Sequence, residues 1–305
     1  MKTKNRWLLA AVLLGVMLTL TACGADNNQG QQSAELDKPI MTLAEYPLVD
    51  GSTANLPMMA QIMADVTGIS LEEAEQQTWC RKTPAAWLAL ASGENDLLLV
   101  YEAAEVTKQQ LADMGTELSV EPIGRDALVF IVNEDNPVKS LTQEQLIGIY
   151  TGEIINWSEV GGADLPIVAF QRPEESGSQS LFMKLLMQGR EPMDAPTEFR
   201  PMEMGGLIEE LAAYNNSADA LGYSVFYYAS YMYQQPGLRF VAVDGVLPSD
   251  ETIADGSYPL LNEYYLAART DDLQDKNSAV SRLYEWILSD AGKDSMRRAG
   301  YIPLD

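Results

Sequence analysis

The chain contains no histidine in 305 residues. That absence removes Ser-His-Asp and Cys-His catalysis, His-ligated zinc and the usual proton shuttle near neutral pH. Cysteine is nearly as scarce, with only Cys23 and Cys80, so no Cys-rich metal site can form and no metal or cofactor is expected. Positive charge is also short: 20 Lys+Arg stand against 44 Asp+Glu, a net −24. Such a balance argues against nucleic acid or an anionic membrane surface as an electrostatic partner, but not against a small anion held by a few local donors. No Walker-type loop, dinucleotide fingerprint or internal repeat is visible. The longest apolar run, Trp7 to Leu20, is too short to cross a bilayer comfortably at about 20 residues.

That run has its own logic. Lys2, Lys4 and Arg6 precede it and Leu20-Thr21-Ala22-Cys23-Gly24 follows, which is the pattern of a secretory signal peptide over residues 1–22. The last five of these residues resemble the bacterial lipobox, whose cysteine is lipidated, so Cys23 is expected to anchor the mature chain. Cys80 is then the only thiol and no intramolecular disulfide is possible; a small buried residue is its simplest role. Residues 23–44 are polar and rich in Gly, Gln and Asn, a flexible tether reaching about 20–25 Å, with ordered structure expected from near Tyr46.

Beyond the tether, 47% hydrophobic content supports a packed core and more than one lobe. Strand and helix patterns alternate, as in an α/β fold with mostly parallel sheets. Examples are the uniformly apolar Ala127–Val132, the helix Glu105–Met114, and the capping-box start Thr142 to Gln145. The most informative stretch is Ala169-Phe170-Gln171-Arg172-Pro173-Glu174-Glu175-Ser176-Gly177-Ser178. It reads as a strand end, a loop with one arginine, and Ser-Gly-Ser opening a helix. Helix N-termini leave N–H groups unpaired and favour anions, and hydroxyls, a glycine and a guanidinium add donors. Either serine also suits a plain N-cap, and Arg172 a surface charge. What favours an oxyanion pocket is recurrence: Gly51-Ser52-Thr53 and Arg81-Lys82-Thr83-Pro84 repeat the theme of a small hydroxyl loop before a helix. The tyrosine-rich run Tyr223–Tyr233 reads as an aromatic helix against a sheet rather than a sugar platform. Paired acids such as Glu174-Glu175 read as solvated surface rather than catalytic carboxylates.

The same residues carry a family likeness. Pro122 to Asn133, Asn136-Pro137, Leu141-Thr142, Ile149-Tyr150-Thr151-Gly152-Glu153-Ile154-Ile155-Asn156-Trp157 and Val160-Gly161-Gly162 resemble the phosphate-binding proteins of phosphate ABC transporters. Arg172-x-x-x-Ser176-Gly177-Ser178 resembles that family's anion loop, and Asp50-Gly51-Ser52-Thr53 its first loop; Leu221-Gly222-Tyr223 and Gly300-Tyr301-Ile302-Pro303 also fit. The resemblance implies a two-lobed, hinged periplasmic-binding-protein-like α/β receptor. One lobe comprises residues 45–120 with 260–305 and the other 121–259, with crossings near Val120–Ile123 and Tyr258–Asn262. It implies a monomeric, non-enzymatic phosphate receptor, lipid-anchored through Cys23 on the extracytoplasmic side of a bacterial cell membrane and serving an ABC permease. By motif, Ser52 and Thr53 donate from one lobe and Arg172, Ser176, Gly177 and Ser178 from the other. The family's second loop is Gly/Ser-rich; here Thr83, with Arg81 or Lys82, takes its place. The family's aspartate that accepts the ligand proton is also missing, and Glu102 is its candidate replacement. The alternatives are the same fold with another ligand, a sensor or surface protein, or a carboxylate-dependent hydrolase, for which no motif is present.

Overall fold

The computed structural model describes residues 39 to 304 apart from 175, 196–200 and 214–217. The expected signal peptide, Cys23 and most of the tether lie outside the described residues. Structure begins earlier than the sequence pattern suggests. The Ile40 and Met41 N–H groups both donate to the Val66 carbonyl, at 2.9 and 3.1 Å, and Met41 is buried. A 3-10 turn, Leu43–Glu45, follows. One apolar side chain with a place in the core is enough to pull residues 39–45 out of the tether.

Two sheets share one strand. In the first, β1 (Val49–Gly51) pairs parallel with β2 (Leu97–Tyr101), and β2 pairs antiparallel with β8 (Leu261–Arg269). All five residues of β2 are buried, as expected for a strand covered on both faces. The shared strand is β3 (Leu118–Asn133). Its first part pairs with β8 as far as Ala127↔Leu261, and its second part begins a new pairing at Leu128↔Val225. The second sheet therefore holds the end of β3 between β6 (Ala220–Val225) and β7 (Leu238–Val243), both antiparallel. Parallel pairing lies at the outer strands: β5 (Val168–Ala169) on β6 and β4 (Ser140–Leu141) on β7. A last strand, β9 (Ile302–Pro303), pairs with β3. The sixteen residues of β3 exceed the apolar core of six read from the sequence because Pro122 and Gly124 interrupt the pattern. A register shift between them keeps the strand going. Gly124 is required there, since a Cβ would lie 1.9 Å from the Tyr264 Oη.

Helices cover both sheets. On the first sheet, α1 (Leu56–Thr67), α2 (Leu71–Gln77) and α3 (Thr83–Ser92) are followed by α4 (Glu105–Met114). α1 and α3 each carry proline in the first turn and end on a glycine at positive φ, 76° at Gly68 and 82° at Gly93, the usual helix punctuation. On the second sheet, α5 (Gln143–Thr151) has the expected Thr142/Gln145 capping box. α6 (Gly177–Phe182) runs into a π turn, Met183–Met187, and α7 (Met204–Ala213) precedes β6. The aromatic run forms the end of β6 and a second π turn, Tyr228–Met232. α8 (Asp250–Ala254), α9 (Ala279–Leu288) and α10 (Asp290–Arg298) complete the chain.

Candidate functional site

Three loops, each ending in a helix start, meet at one cavity of about 290 Å³. Its lining includes Ser52, Thr53, Thr83, Arg172, Ser176, Gly177 and Ser178, seven of the eight residues that sequence reasoning selects for a ligand. Each loop is held by local chemistry. Ser52 follows β1, and its buried Oγ accepts from the Tyr101 N–H at 3.0 Å and lies 2.7 Å from the Thr83 Oγ1. This joins the first two loops through a hydroxyl pair. Thr83 opens α3 directly after Lys82, whose φ of 70° turns the chain sharply into the helix. Ser176 caps α6: its Oγ accepts from the Gln179 N–H at 3.3 Å and lies 3.0 Å from the Ser178 Oγ. The loops come together closely enough that a Cβ on Gly177 would lie 3.0 Å from the Thr83 Oγ1. The N–H groups of a helix's first turn have no intrahelical acceptor, so the start of α3 adds backbone donors to those hydroxyls.

Arg172 is the buried cation of the site, 7% exposed. Its Nε–H donates to the Pro201 carbonyl and its Nη2 to the Met202 carbonyl, both at 2.8 Å, and its Nη1 lies 3.4 Å from the Ser178 Oγ. Of the five N–H donors of a guanidinium, three are engaged by partners among the described residues. Burial pushes its pKa down from the ordinary arginine value. The loop beneath it is fixed by the core of the second sheet: the Arg172 N–H donates to the Gln179 Oε1 and the Tyr223 Oη, each at 3.0 Å. Tyr223 in turn stacks on Phe182 with ring centroids 4.6 Å apart. An aromatic core thus sets the position of the guanidinium.

Arg81 and Lys82 also line the cavity. Arg81 is committed to the fully buried Asp50: its Nη1 is 2.9 Å from Oδ2 and its N–H 2.8 Å from Oδ1. Lys82 reaches across to Glu203, with Nζ 2.7 and 2.8 Å from the two carboxylate oxygens. That hydrogen bond holds the Glu203 carboxyl below the usual range. Tyr101, Met202, Glu203 and Met204 also line the wall, and the sequence does not single them out as site residues. Tyr101 reads locally as one more apolar strand residue, and Glu203 meets its partner only across 121 positions. No local signal marks either.

Glu102 is the one selected residue outside the cavity lining. It sits beside a separate hollow with Lys108 and Tyr265. Its carboxylate accepts from Lys108 at 2.7 Å and from Lys184 of the second sheet's π turn. Burial opposes ionisation there, but the two ammonium partners outweigh it and hold the carboxyl below its ordinary value. The strand alternates its side chains, and Glu102, one residue past Tyr101, is turned away from the hydroxyl loops. Cys80 is half-buried, its Sγ 3.9 Å from the Thr53 Oγ1, and burial raises its pKa, consistent with an inert thiol. A larger crevice of about 610 Å³ under β7, lined by Ile131, Ile208, Leu238 and Phe240 among others, contains none of the selected residues. Among the described residues no group of His, Cys, Asp and Glu is arranged to hold a metal ion, and no helix is long and apolar enough to cross a membrane.

Chemically, the cavity offers hydroxyls, helix-start N–H groups and a guanidinium fork, an arrangement complementary to a small oxyanion. Comparison with known proteins agrees with that chemistry. The phosphate-binding protein PstS of Bacillus subtilis (strain 168) is 25% identical over 317 residues, covering 99% of this chain and 95% of its own. Among solved structures, a Clostridium perfringens protein described as a phosphate ABC transporter substrate-binding protein, with phosphate bound, superposes with a TM-score of 0.65. It is 23% identical and covers 84% of this chain and 98% of its own. An ABC-type phosphate transport receptor from Vibrio cholerae gives a TM-score of 0.60 at 24% identity, covering 83% and 98%. Each of the three is named for binding or transporting phosphate rather than for catalysis. Residues 41–291 match the PBP superfamily domain, and the chain belongs to that family.

Proposed function

We propose that this chain is a non-enzymatic receptor that captures inorganic phosphate in the three-loop cavity and delivers it to the permease of an ABC transporter. The observation that carries the reading is the convergence of Ser52, Thr53 and Thr83 from the first sheet with Arg172, Ser176, Gly177 and Ser178 from the second. Neutral donors from both sides and one buried guanidinium suit a tetrahedral anion. They work inside an acidic protein because short hydrogen bonds in a secluded cavity outweigh surface charge that salt screens.

In this reading residues 45–120 with 260–305 form one lobe and 121–259 the other. The hinge crossings lie near Val120–Ile123, in the first half of β3, and near Tyr258–Asn262, and binding closes the lobes on the anion. The receptor is a monomer held at the outer face of a bacterial cell membrane through a lipid on Cys23, after removal of residues 1–22. The position of Glu102 supports a second reading, in which the same cavity takes another oxyanion such as sulfate, because the expected acceptor of a ligand proton is tied to two lysines elsewhere. A calorimetric titration of the chain lacking residues 1–22 separates the two. Tight phosphate binding with sulfate excluded supports phosphate capture; preference for sulfate supports the second reading; binding of neither removes the oxyanion reading.

A further inference from the structure

We infer that Glu203 is a built-in competitor of the ligand: its carboxylate holds Lys82 at the cavity wall, and an incoming oxyanion must displace it. The inference deepens the reading of the cavity as an oxyanion site and rests on that reading.

Among the described residues three cations line the cavity, Arg81, Lys82 and Arg172, and they differ in what holds them. Arg81 is fixed by a carboxylate that is itself buried, Asp50. Breaking that pair would strand a buried charge, so Arg81 is not available to exchange partners. Arg172 is fixed by two backbone carbonyls. Lys82 alone is held by a carboxylate that also lines the cavity, and side-chain exposures of 57% and 67% leave that pair in solvent. An exposed pair is worth little and exchanges readily.

Glu203 is not there by the chance sweep of a surface side chain. The two residues before it, Pro201 and Met202, are the ones whose carbonyls Arg172 grips at 2.8 Å. The guanidinium that lines the cavity therefore also anchors the segment that presents the competing carboxylate. Lys82 is fixed in the opposite wall by the turn into α3 at φ 70°. A carboxylate presenting both oxygens to an ammonium imitates one edge of an oxyanion. An anion that enters must hold Lys82 better than Glu203 does, and must tolerate the displaced carboxylate beside it. Glu203 thus lowers the affinity for every oxyanion and discriminates most against those with the highest charge.

The test is a double-mutant cycle on the chain lacking residues 1–22, titrated calorimetrically with phosphate and with sulfate. Glu203→Gln keeps the size of an exposed side chain, and circular dichroism checks that the fold is retained. It is expected to tighten binding by about two- to fivefold, the range an exposed pair can contribute. In a Lys82→Gln background the same substitution should give a clearly smaller gain, because only the repulsion by a nearby carboxylate remains to be relieved and the competition for Lys82 is gone. Weaker or unchanged binding of both anions by Glu203→Gln overturns the inference, as does an equal gain in the Lys82→Gln background. A wild-type chain that ignores phosphate, with Glu203→Gln tightening sulfate alone, ends the phosphate reading and leaves the competitor in place.

Discussion

Arg172 should be the most sensitive single position for ligand and fold together. Replacing it with alanine removes a buried charged donor from the cavity wall, a loss worth about 2–5 kcal/mol where a close charged partner is truncated. Affinity for phosphate should therefore fall by roughly 30-fold to several-thousand-fold. The same change releases the Pro201 and Met202 carbonyls, each held at 2.8 Å. Hydrogen bonds to a charged group contribute about 1.5–3 kcal/mol apiece, and partial rehydration of the carbonyls offsets some of that, for a net loss of about 2–4 kcal/mol. For a domain of this size that is a drop of roughly 4–8 °C in Tm. Arg172→Lys separates the two effects: it keeps a charge for the anion but cannot fork to both carbonyls. It should recover part of the affinity and little of the Tm. Calorimetric titration and thermal denaturation read the two quantities. An Arg172→Ala protein that is folded and binds phosphate within twofold of the wild type refutes the assignment of Arg172 to the site.

Three further outcomes follow from named groups. Burial raises the Asp126 carboxyl to about 6, against hydrogen bonds from Tyr101, Ala127 and Tyr227 that favour ionisation, and Tyr264 also faces it. Because the folded pKa lies above the unfolded one, its contribution to stability is full below pH 4 and is lost as pH rises through 6. The stability of Asp126→Asn relative to wild type should accordingly be most favourable at pH 7.5 and decline toward pH 4.5 in denaturant titrations. A relative stability of the variant that improves on acidification contradicts this. Gly124→Ala should destabilise by about 1–3 kcal/mol or more, as overpacking against the fully buried Tyr264 ring does. Tyr264→Phe should not rescue it, since the ring Cζ would still lie 2.0 Å from the new Cβ. Finally, Glu102→Gln should leave the ratio of phosphate to sulfate affinity unchanged, because Lys108 and Lys184 hold that carboxylate outside the cavity; a shifted ratio would return Glu102 to the binding site.

Much of the site was legible because its chemistry is local. Ser52-Thr53, Thr83-Pro84 and Ser176-Gly177-Ser178 are each a helix start, and capping rules apply to a few consecutive residues whatever surrounds them. The α/β pattern and the helix Glu105–Met114 were readable for the same reason. What escaped the sequence depends on distant partners. Tyr101 reaches the cavity wall because β2 lies between β1 and β8, and Glu203 because Arg172 grips the residues before it. Glu102 suggested an acceptor by its register after β2, but two lysines, six and 82 positions away, draw it elsewhere. The full length of β3 was hidden by Pro122 and Gly124, which ordinarily end a strand and here mark a shift of register.

The sharing of β3 between sheets also sets an order of assembly as the chain emerges. The second sheet draws its strands from residues 118–243 and can close before the rest of the chain has been made. The first cannot: β2 reaches β3 only through β8, whose residues 261–269 are made only after all the strands of the second sheet. Until then β1 and β2 stand as a two-stranded fragment with an open hydrogen-bonding edge, the kind of surface that recruits other chains. Late pairing across more than 160 positions is also slow. Any route that exports this protein unfolded must therefore keep the fully apolar Leu97–Val100 edge apart from its neighbours until β8 arrives.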